Sequence, residues 1–238
     1  MKVADIEIEV IKKKIKNMHL SVLPPDGDVR ISAPIDISDE AIELFAISRI
    51  AWIKKQIKKF EDQPRQTERE YVSGESHYFF GKRYRLEVKH TNGNSKVEIQ
   101  GNKILFTIKP ESTSVQRANT LNAWYRKELR LKVHPLIEKW EEIIGVSANE
   151  VKIKDMRTKW GTCNVRDKRI WLNLQLAKKP IECIEYVIVH ELVHLLENSH
   201  NARFILFMDG FLPDWRARRE ELNETLIQAY IPDSKEVF

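Results

Sequence analysis

The run His190-Glu191-Leu192-Val193-His194, followed by His200, constrains this chain more than any other feature it contains. Residues four apart on an α-helix stand one turn apart on one face, so both imidazoles can reach a single ion while Glu191 lies beside them to handle protons. The flanks predict a buried helix. Pro180 suits a first turn, Glu182 and Glu185 lie near its positive end, and Ile181, Ile184, Val187, Ile188, Leu192 and Leu195 recur mostly at three- and four-residue steps. A lone histidine on such a face is ordinarily a hydrogen-bonded core imidazole. Here two histidines and a carboxylate share it, and each polar group buried without a partner costs roughly 1 to 3 kcal/mol. A metal supplies that partner.

Zinc in hydrolytic sites takes three protein ligands and keeps a fourth position for water. His200 is the first candidate for the third ligand. In an unbroken helix the residues after His194 would turn the chain by about 240° and raise it by about 9 Å before His200. The helix must therefore stop in between, and Asn198-Ser199 has the residue types that favour a stop there. Glu197 is the rival. It lies on nearly the same face as His190, but about 10 Å further along the axis if the helix persists that far.

The run Met156-Arg157-Thr158-Lys159-Trp160-Gly161-Thr162-Cys163, then Ile170-Trp171-Leu172-Asn173, then His190 to His200 and Phe204, resembles the YgjP-like family of zinc metallopeptidases, related to the SprT-like proteases. The likeness covers most of the chain and is strongest from about Val151 to Leu222. It implies that His190, His194 and His200 bind zinc and that Glu191 acts as base. One departure is that the family commonly shows a Phe-Trp pair after the third histidine, where this chain has Phe204-Ile205. Metzincin proteases share the histidine spacing but place a glycine where this chain has Glu197, which argues against membership there.

Val151, Ile153, Ile170, Leu172 and Leu174 alternate in two short runs around the turn-rich Asn164 to Arg169, which predicts a hairpin bordering the cleft. Gly161 beside Trp160 would let a backbone or substrate come close. For Trp160 itself, cleft lining and core packing weigh equally on residue type, and the family resemblance tilts toward the cleft. From Val151 to Lys179 there are nine Lys or Arg against two acidic residues, whereas the whole chain holds 40 basic and 35 acidic residues. A solvated face is the ordinary reading of such a bias. A nucleotide, a nucleic acid or an acidic peptide would nonetheless be drawn by it, less strongly as salt rises. Two alternatives to peptide cleavage therefore stand: a metal-dependent pyrophosphatase acting on nucleotide phosphoanhydrides, and a nucleic-acid-associated module whose structural zinc has four protein ligands.

With 238 residues, 42% of them hydrophobic, the chain can bury a substantial core as one large domain or two small ones. Ile6, Ile8 and Val10 alternate with Glu7 and Glu9, and no run approaches the roughly 20 apolar residues of a membrane span. Cys163 and Cys183 lack CxxC spacing, so a reducing, cytoplasmic compartment is expected, and hydrolysis by activated water needs neither thiol. The predicted fold is α+β: residues 1–110 form a β-rich N-terminal part with hairpins and one amphipathic helix, from Ser38 to about Phe60, and residues 111–238 a zincin-like part with a small sheet and the HExxH helix. Further strands are expected around Pro24-Pro25-Asp26, on both sides of Gly81, and at Lys96 to Ile99 and Lys103 to Ile108. A long helix is expected from Ser114 to Ile144, kinked or divided at Pro135, with shorter ones at Arg203 to Met208 and Trp215 to Ala229. No internal repeat shows in the residues, and no oxyanion-stabilising group stands out, since His19, His77, His90 and His134 are scattered.

Overall fold

The computed structural model describes residues 1–23, 27–61, 69–156 and 159–224. The Pro24-Pro25-Asp26 turn, most of the polar stretch after Glu61, Arg157-Thr158 and the end of the last expected helix lie outside the described residues. The fold is α+β, with the chain divided into two compact units, Met1–Gln66 and Thr67–Phe238.

The first unit holds β1 (Lys2–Val3), β2 (Ile6–Lys13), β3 (His19–Leu23) and β4 (Asp28–Pro34), followed by α1 (Asp39–Ser48) and α2 (Ile50–Glu61). Alternation does the placing: Ile6 and Ile8 are buried, Glu7 and Glu9 exposed. The strands lie in the order β1-β2-β4-β3, with β2 parallel to β4 and β3 antiparallel to it. Ile31, Ala33, Ile42, Ala46 and Ile53 close the core. The single helix expected after Ser38 is two helices. Ser38 caps the first through Ala41 N–H, and at Arg49 the backbone leaves helical geometry (φ −110°, ψ 6°) while its N–H still bonds the Ala46 carbonyl. Lys54, Lys55 and Lys58 form the wet face of α2.

In the second unit β5 (Ser76–Phe79), β6 (Lys82–His90), β7 (Lys96–Gln100) and β8 (Lys103–Ile108) form a sheet in the order β5-β6-β8-β7. A third sheet, β10-β11-β9, comes from β9 (Glu150–Lys154), β10 (Gly161–Asn164) and β11 (Arg169–Asn173). The hairpin predicted here exists, but between β10 and β11. The two alternating apolar runs, β9 and β11, are parallel neighbours instead. The division expected near residue 110 thus differs from that drawn by contacts, because Phe79, Leu86, Ile104, Phe106 and Ile108 share a core with the helices that follow.

The first of these, α3 (Ser114–Ile144), is continuous and contains Pro135 without being divided. A Thr113–Gln116 capping box starts it, Gly145 ends it, and its buried stripe runs Leu121, Tyr125, Leu129, Val133, Ile137, Trp140 and Ile144. A 3-10 turn (Leu174–Lys178) then leads into α4 (Ile181–Val193), with α5 (Ala202–Phe211) and α6 (Trp215–Glu224) completing the described chain. The β5–β6 turn fixes where α4 begins. Phe80 and Gly81 donate backbone N–H bonds to the carbonyls of Ala177 (2.9 Å) and Lys178 (3.3 Å). Gly81, at φ 78°, meets Pro180 so closely that a Cβ would lie 3.0 Å from its ring. Among the described residues no helix is long and apolar enough to cross a membrane.

Candidate active site

Helix α4 is apolar nearly all round, with Ile184, Val187, Ile188, Val189, Leu192 and Val193 buried. It stops at Val193, short of the expected Asn198-Ser199. His194 is its capping residue, and Leu195, Leu196 and Glu197 turn tightly back through N–H bonds to the Leu192 and Val193 carbonyls. Asn201 then caps α5 by accepting the Phe204 N–H at 3.0 Å. These two turns return His200 to the helix. Among the described residues, His190, His194 and His200 are the one group of three or more possible metal ligands able to share an ion, their ligand atoms all within 4.8 Å of one another.

The ring centroids of the three imidazoles are 4.6 to 4.9 Å apart, and the Nε2 atoms of His190 and His200 approach to 3.0 Å. Nitrogens bound tetrahedrally to zinc at about 2.0 Å lie roughly 3.3 Å apart, so the cluster has the dimensions of a metal cage. Phe204 forms its floor, with its ring 4.8 to 5.0 Å from all three imidazoles. Of the pair Phe204-Ile205, Phe204 is the buried member under the imidazoles and Ile205 is exposed. His194 donates from Nδ1 to the Glu197 carbonyl at 3.2 Å, a bond that leaves its Nε2 lone pair for an ion. His190 Nδ1 is buried without a hydrogen-bond partner among the described residues. Burial pushes His190 well below the ordinary imidazole range, holds His194 at about 4, and also lowers His200, with the neighbouring rings adding to the first two. Neutral imidazole is the form that binds metal. The residues present thus fit a divalent cation.

The carboxylate of Glu197 stays outside the cluster, where it accepts the Ser199 N–H at 3.3 Å. Glu191 is 5% exposed, and burial raises its carboxyl to about 8 against a weaker pull from Lys159. Gly161, the first residue of β10, lies directly against it, so that a Cβ at 161 would stand 2.5 Å from Oε1 and 2.7 Å from Cγ. The glycine therefore does admit a close neighbour, and that neighbour is Glu191. Trp160 is core, 1% exposed, with Lys179 Nζ 5.1 Å from its ring centre. Lys179 in turn donates to the Leu222 carbonyl of α6 at 2.7 Å.

Asn173, named from the sequence only as part of the family motif, has a role that reading did not assign. It is fully buried, and its amide donates to the carbonyls of Met156 (2.8 Å) and Lys159 (2.7 Å) while its oxygen accepts from Gln175 N–H (3.1 Å) and Met156 N–H (3.4 Å). It thereby ties the approach to Gly161 to the end of β11. Tyr186 was missed as well: one turn before His190, it packs edge-on to that ring at 5.7 Å and stacks on Trp215 at 6.3 Å. Its i,i+4 spacing from His190 was the available signal. Lys159 and Arg219 supply positive charge felt by the cluster. Both cysteines are free thiols, and burial pushes Cys163 up to about 11, with Glu191 adding to the shift.

A family model described as "YgjP-like, metallopeptidase domain" matches residues 16–225 of the chain. Among solved structures, the metallopeptidase zymogen of Pyrococcus abyssi abylysin is similar over 42% of this chain and 98% of its own, with 20% identity and a TM-score of 0.38. The zymogen of Methanocaldococcus jannaschii jannalysin is similar over 40% of this chain and 91% of its own, with 19% identity and a TM-score of 0.37. No protein of curated function matches the sequence.

Proposed function

The chain belongs to the YgjP-like metallopeptidase family and is a metal-dependent hydrolase acting on peptides, and from that premise we propose that its ion is zinc, held by His190, His194 and His200, with Glu191 as general base. The observation that carries this reading is the convergence of three imidazoles, their ligand atoms all within 4.8 Å of one another, with the buried carboxyl of Glu191 next to His190 on the same helix. When bound, zinc supplies the Lewis acidity that acidifies a water nucleophile and polarises the scissile carbonyl. Glu191 takes the proton from the attacking water and passes it to the departing amine. His194, oriented by the Glu197 carbonyl, and His190 and His200, supported by Phe204, keep the ligand nitrogens converged.

Among the described residues strand β10 lies at the edge of its sheet and pairs on one side only. An extended peptide added along that edge gains main-chain hydrogen bonds, and Gly161 sets it beside Glu191. A structural zinc would require a fourth ligand, and no fourth His, Cys, Asp or Glu joins the group among the described residues.

The test is metal content measured beside turnover. The purified protein is expected to carry one zinc, to hydrolyse casein or a peptide library, and to lose both metal and activity in His200→Ala. Stoichiometric zinc retained in that variant would transfer the third position to Glu197 or a distant carboxylate. Hydrolysis of nucleoside triphosphates with no peptide cleaved would overturn the peptidase assignment.

A further inference from the structure

The two faces of β10 look onto different surroundings. Gly161 lies against Glu191, whereas Thr162 and Asn164 stand directly opposite Trp171 and Arg169 on β11 and so share the other face with them. Along this edge opens a cavity of about 750 Å³, lined by Thr162, Cys163, Asn164, Arg166, Arg169 and Trp171, with Asn198 from the turn between His194 and His200 also at its wall. Its charge is positive. The Arg169 guanidinium lies 5.0 Å from the Trp171 ring centre and Lys154 Nζ 3.2 Å from it, so two cations are held on one indole. Asp167 neutralises part of this through Arg169 at 3.2 Å and also accepts from Asn164. Arg166 is exposed at the rim with no acidic partner among the described residues. Trp171 Nε1 has no acceptor among the described residues.

We propose that this cavity receives an acidic side chain of the peptide, so that the enzyme selects chains carrying Asp or Glu two or three residues from the bond it cuts. The inference rests on the peptidase reading and names the substrate class of that same site. Strand geometry sets the distance. At about 3.3 Å per residue, Asn164 lies about 10 Å along the edge from Gly161, and alternate side chains of an added strand face the cavity. A carboxylate there meets guanidinium and ammonium groups on a surface partly screened from water. A nucleic acid fits less well, because Lys154, Arg166 and Arg169 gather round one cavity, whereas successive phosphates are bound by cations spread along a stripe.

The test uses the Glu191→Gln protein with its metal, which binds peptides without cutting them. Fluorescein-labelled extended peptides are compared in matched pairs, Glu against Gln at each position. The Glu member is expected to bind about tenfold tighter at positions two or three from the centre, with the gap closing at high salt. Arg166→Glu should abolish that preference and favour Lys at the same position. In the active enzyme the same ratio should appear in kcat/KM. Equal affinities for Glu and Gln peptides would overturn the inference. So would a single-stranded oligonucleotide that displaces the peptide and itself depends on Arg166. A protein that cleaves no peptide at all fails the peptidase reading separately, while the binding ratio still decides what the cavity holds.

Discussion

In the first unit β2 runs parallel to β4, with β3 antiparallel on the far side of β4; in the second, β9 runs parallel to β11, with β10 antiparallel on the far side of β11. The sheet of β5 to β8 has the same arrangement again, β6 parallel to β8 and β7 antiparallel to it. The strand plan is shared; what is buried on it is not. Around β2 to β4 the core is apolar except for Gln56, whereas the described residues of the second unit bury His77, Asn173, Gln175, Lys179, Glu191 and His194. The contrast is sharpest at one register position. The last paired residue is Pro34 in the first sheet and Asn173 in the third, and Asn173 uses its amide to carry the chain past Glu191. The plan is thus a scaffold, and chemistry enters where polar side chains are buried at the end of the third strand.

The largest effect should come from the buried acid. Glu191→Gln is expected to lower kcat for peptide hydrolysis about 10³-fold while leaving the circular dichroism spectrum unchanged. Gly161→Ala acts on the same carboxyl by displacement, because its Cβ would overlap Glu191, and should cost tenfold or more. Ser21→Ala on β3, the matching edge strand of the first sheet, should leave turnover as it was. An equal loss from Ser21→Ala would mean that the two sheets do not divide the labour as described.

Next comes Asn173→Ala. It leaves the Met156 and Lys159 carbonyls and the Gln175 N–H without their side-chain partner, and buried groups stranded in this way cost roughly 1 to 3 kcal/mol each. A destabilisation of about 3 kcal/mol or more is expected in urea unfolding, against less than about 1 kcal/mol for Pro34→Ala at the equivalent register.

These cases also mark what the residues alone disclose. The imidazole cluster is legible because His190 and His194 obey helical spacing and because His200 can join them only if the helix stops, which it does. Period-2 alternation locates the strands but not their partners. It suggests that neighbours in sequence pair with each other, so the parallel β2–β4 and β9–β11 pairs, and with them the repeated plan, stay hidden. The contact of Gly161 with Glu191 and three of the four bonds of Asn173, those to Met156 and Lys159, join residues far apart in the chain. A single Asn between Leu172 and Leu174 can signal its local cap on Gln175 N–H but not the bonds to Met156 and Lys159.

Glu185, 15% exposed in its side chain, is paired with Arg218 at 2.7 Å and Lys139 at 2.8 Å and accepts from Trp140 Nε1. Burial alone would raise its carboxyl, but the bonds from Lys139, Arg218 and Trp140 prevail and hold it at about 2. A carboxyl depressed in the folded state contributes stability that is full above its unfolded value and is lost as pH falls through the folded one. Wild type should therefore lose on the order of 1 kcal/mol, the full shift being discounted for solvent screening, between about pH 4.5 and pH 2 through this group. In Glu185→Gln that component of the acid titration should vanish. Identical urea midpoints against pH for the two proteins would show that the pairing adds nothing.

The smallest effect belongs to the first unit, whose ion pairs lie on the surface. Arg30 Nε and Glu9 Oε2 are 2.6 Å apart, but their side chains are 41% and 57% exposed. Water and salt screen such a pair, and holding two long side chains in one geometry costs entropy, so a double-mutant cycle with Arg30→Ala and Glu9→Ala should give a coupling below about 1 kcal/mol that shrinks further in 0.5 M salt. The same cycle on Glu185 and Arg218 should give a coupling at least twice as large and less sensitive to salt, because those partners are mostly buried. Equal couplings would mean that burial does not distinguish the polar groups of the two units.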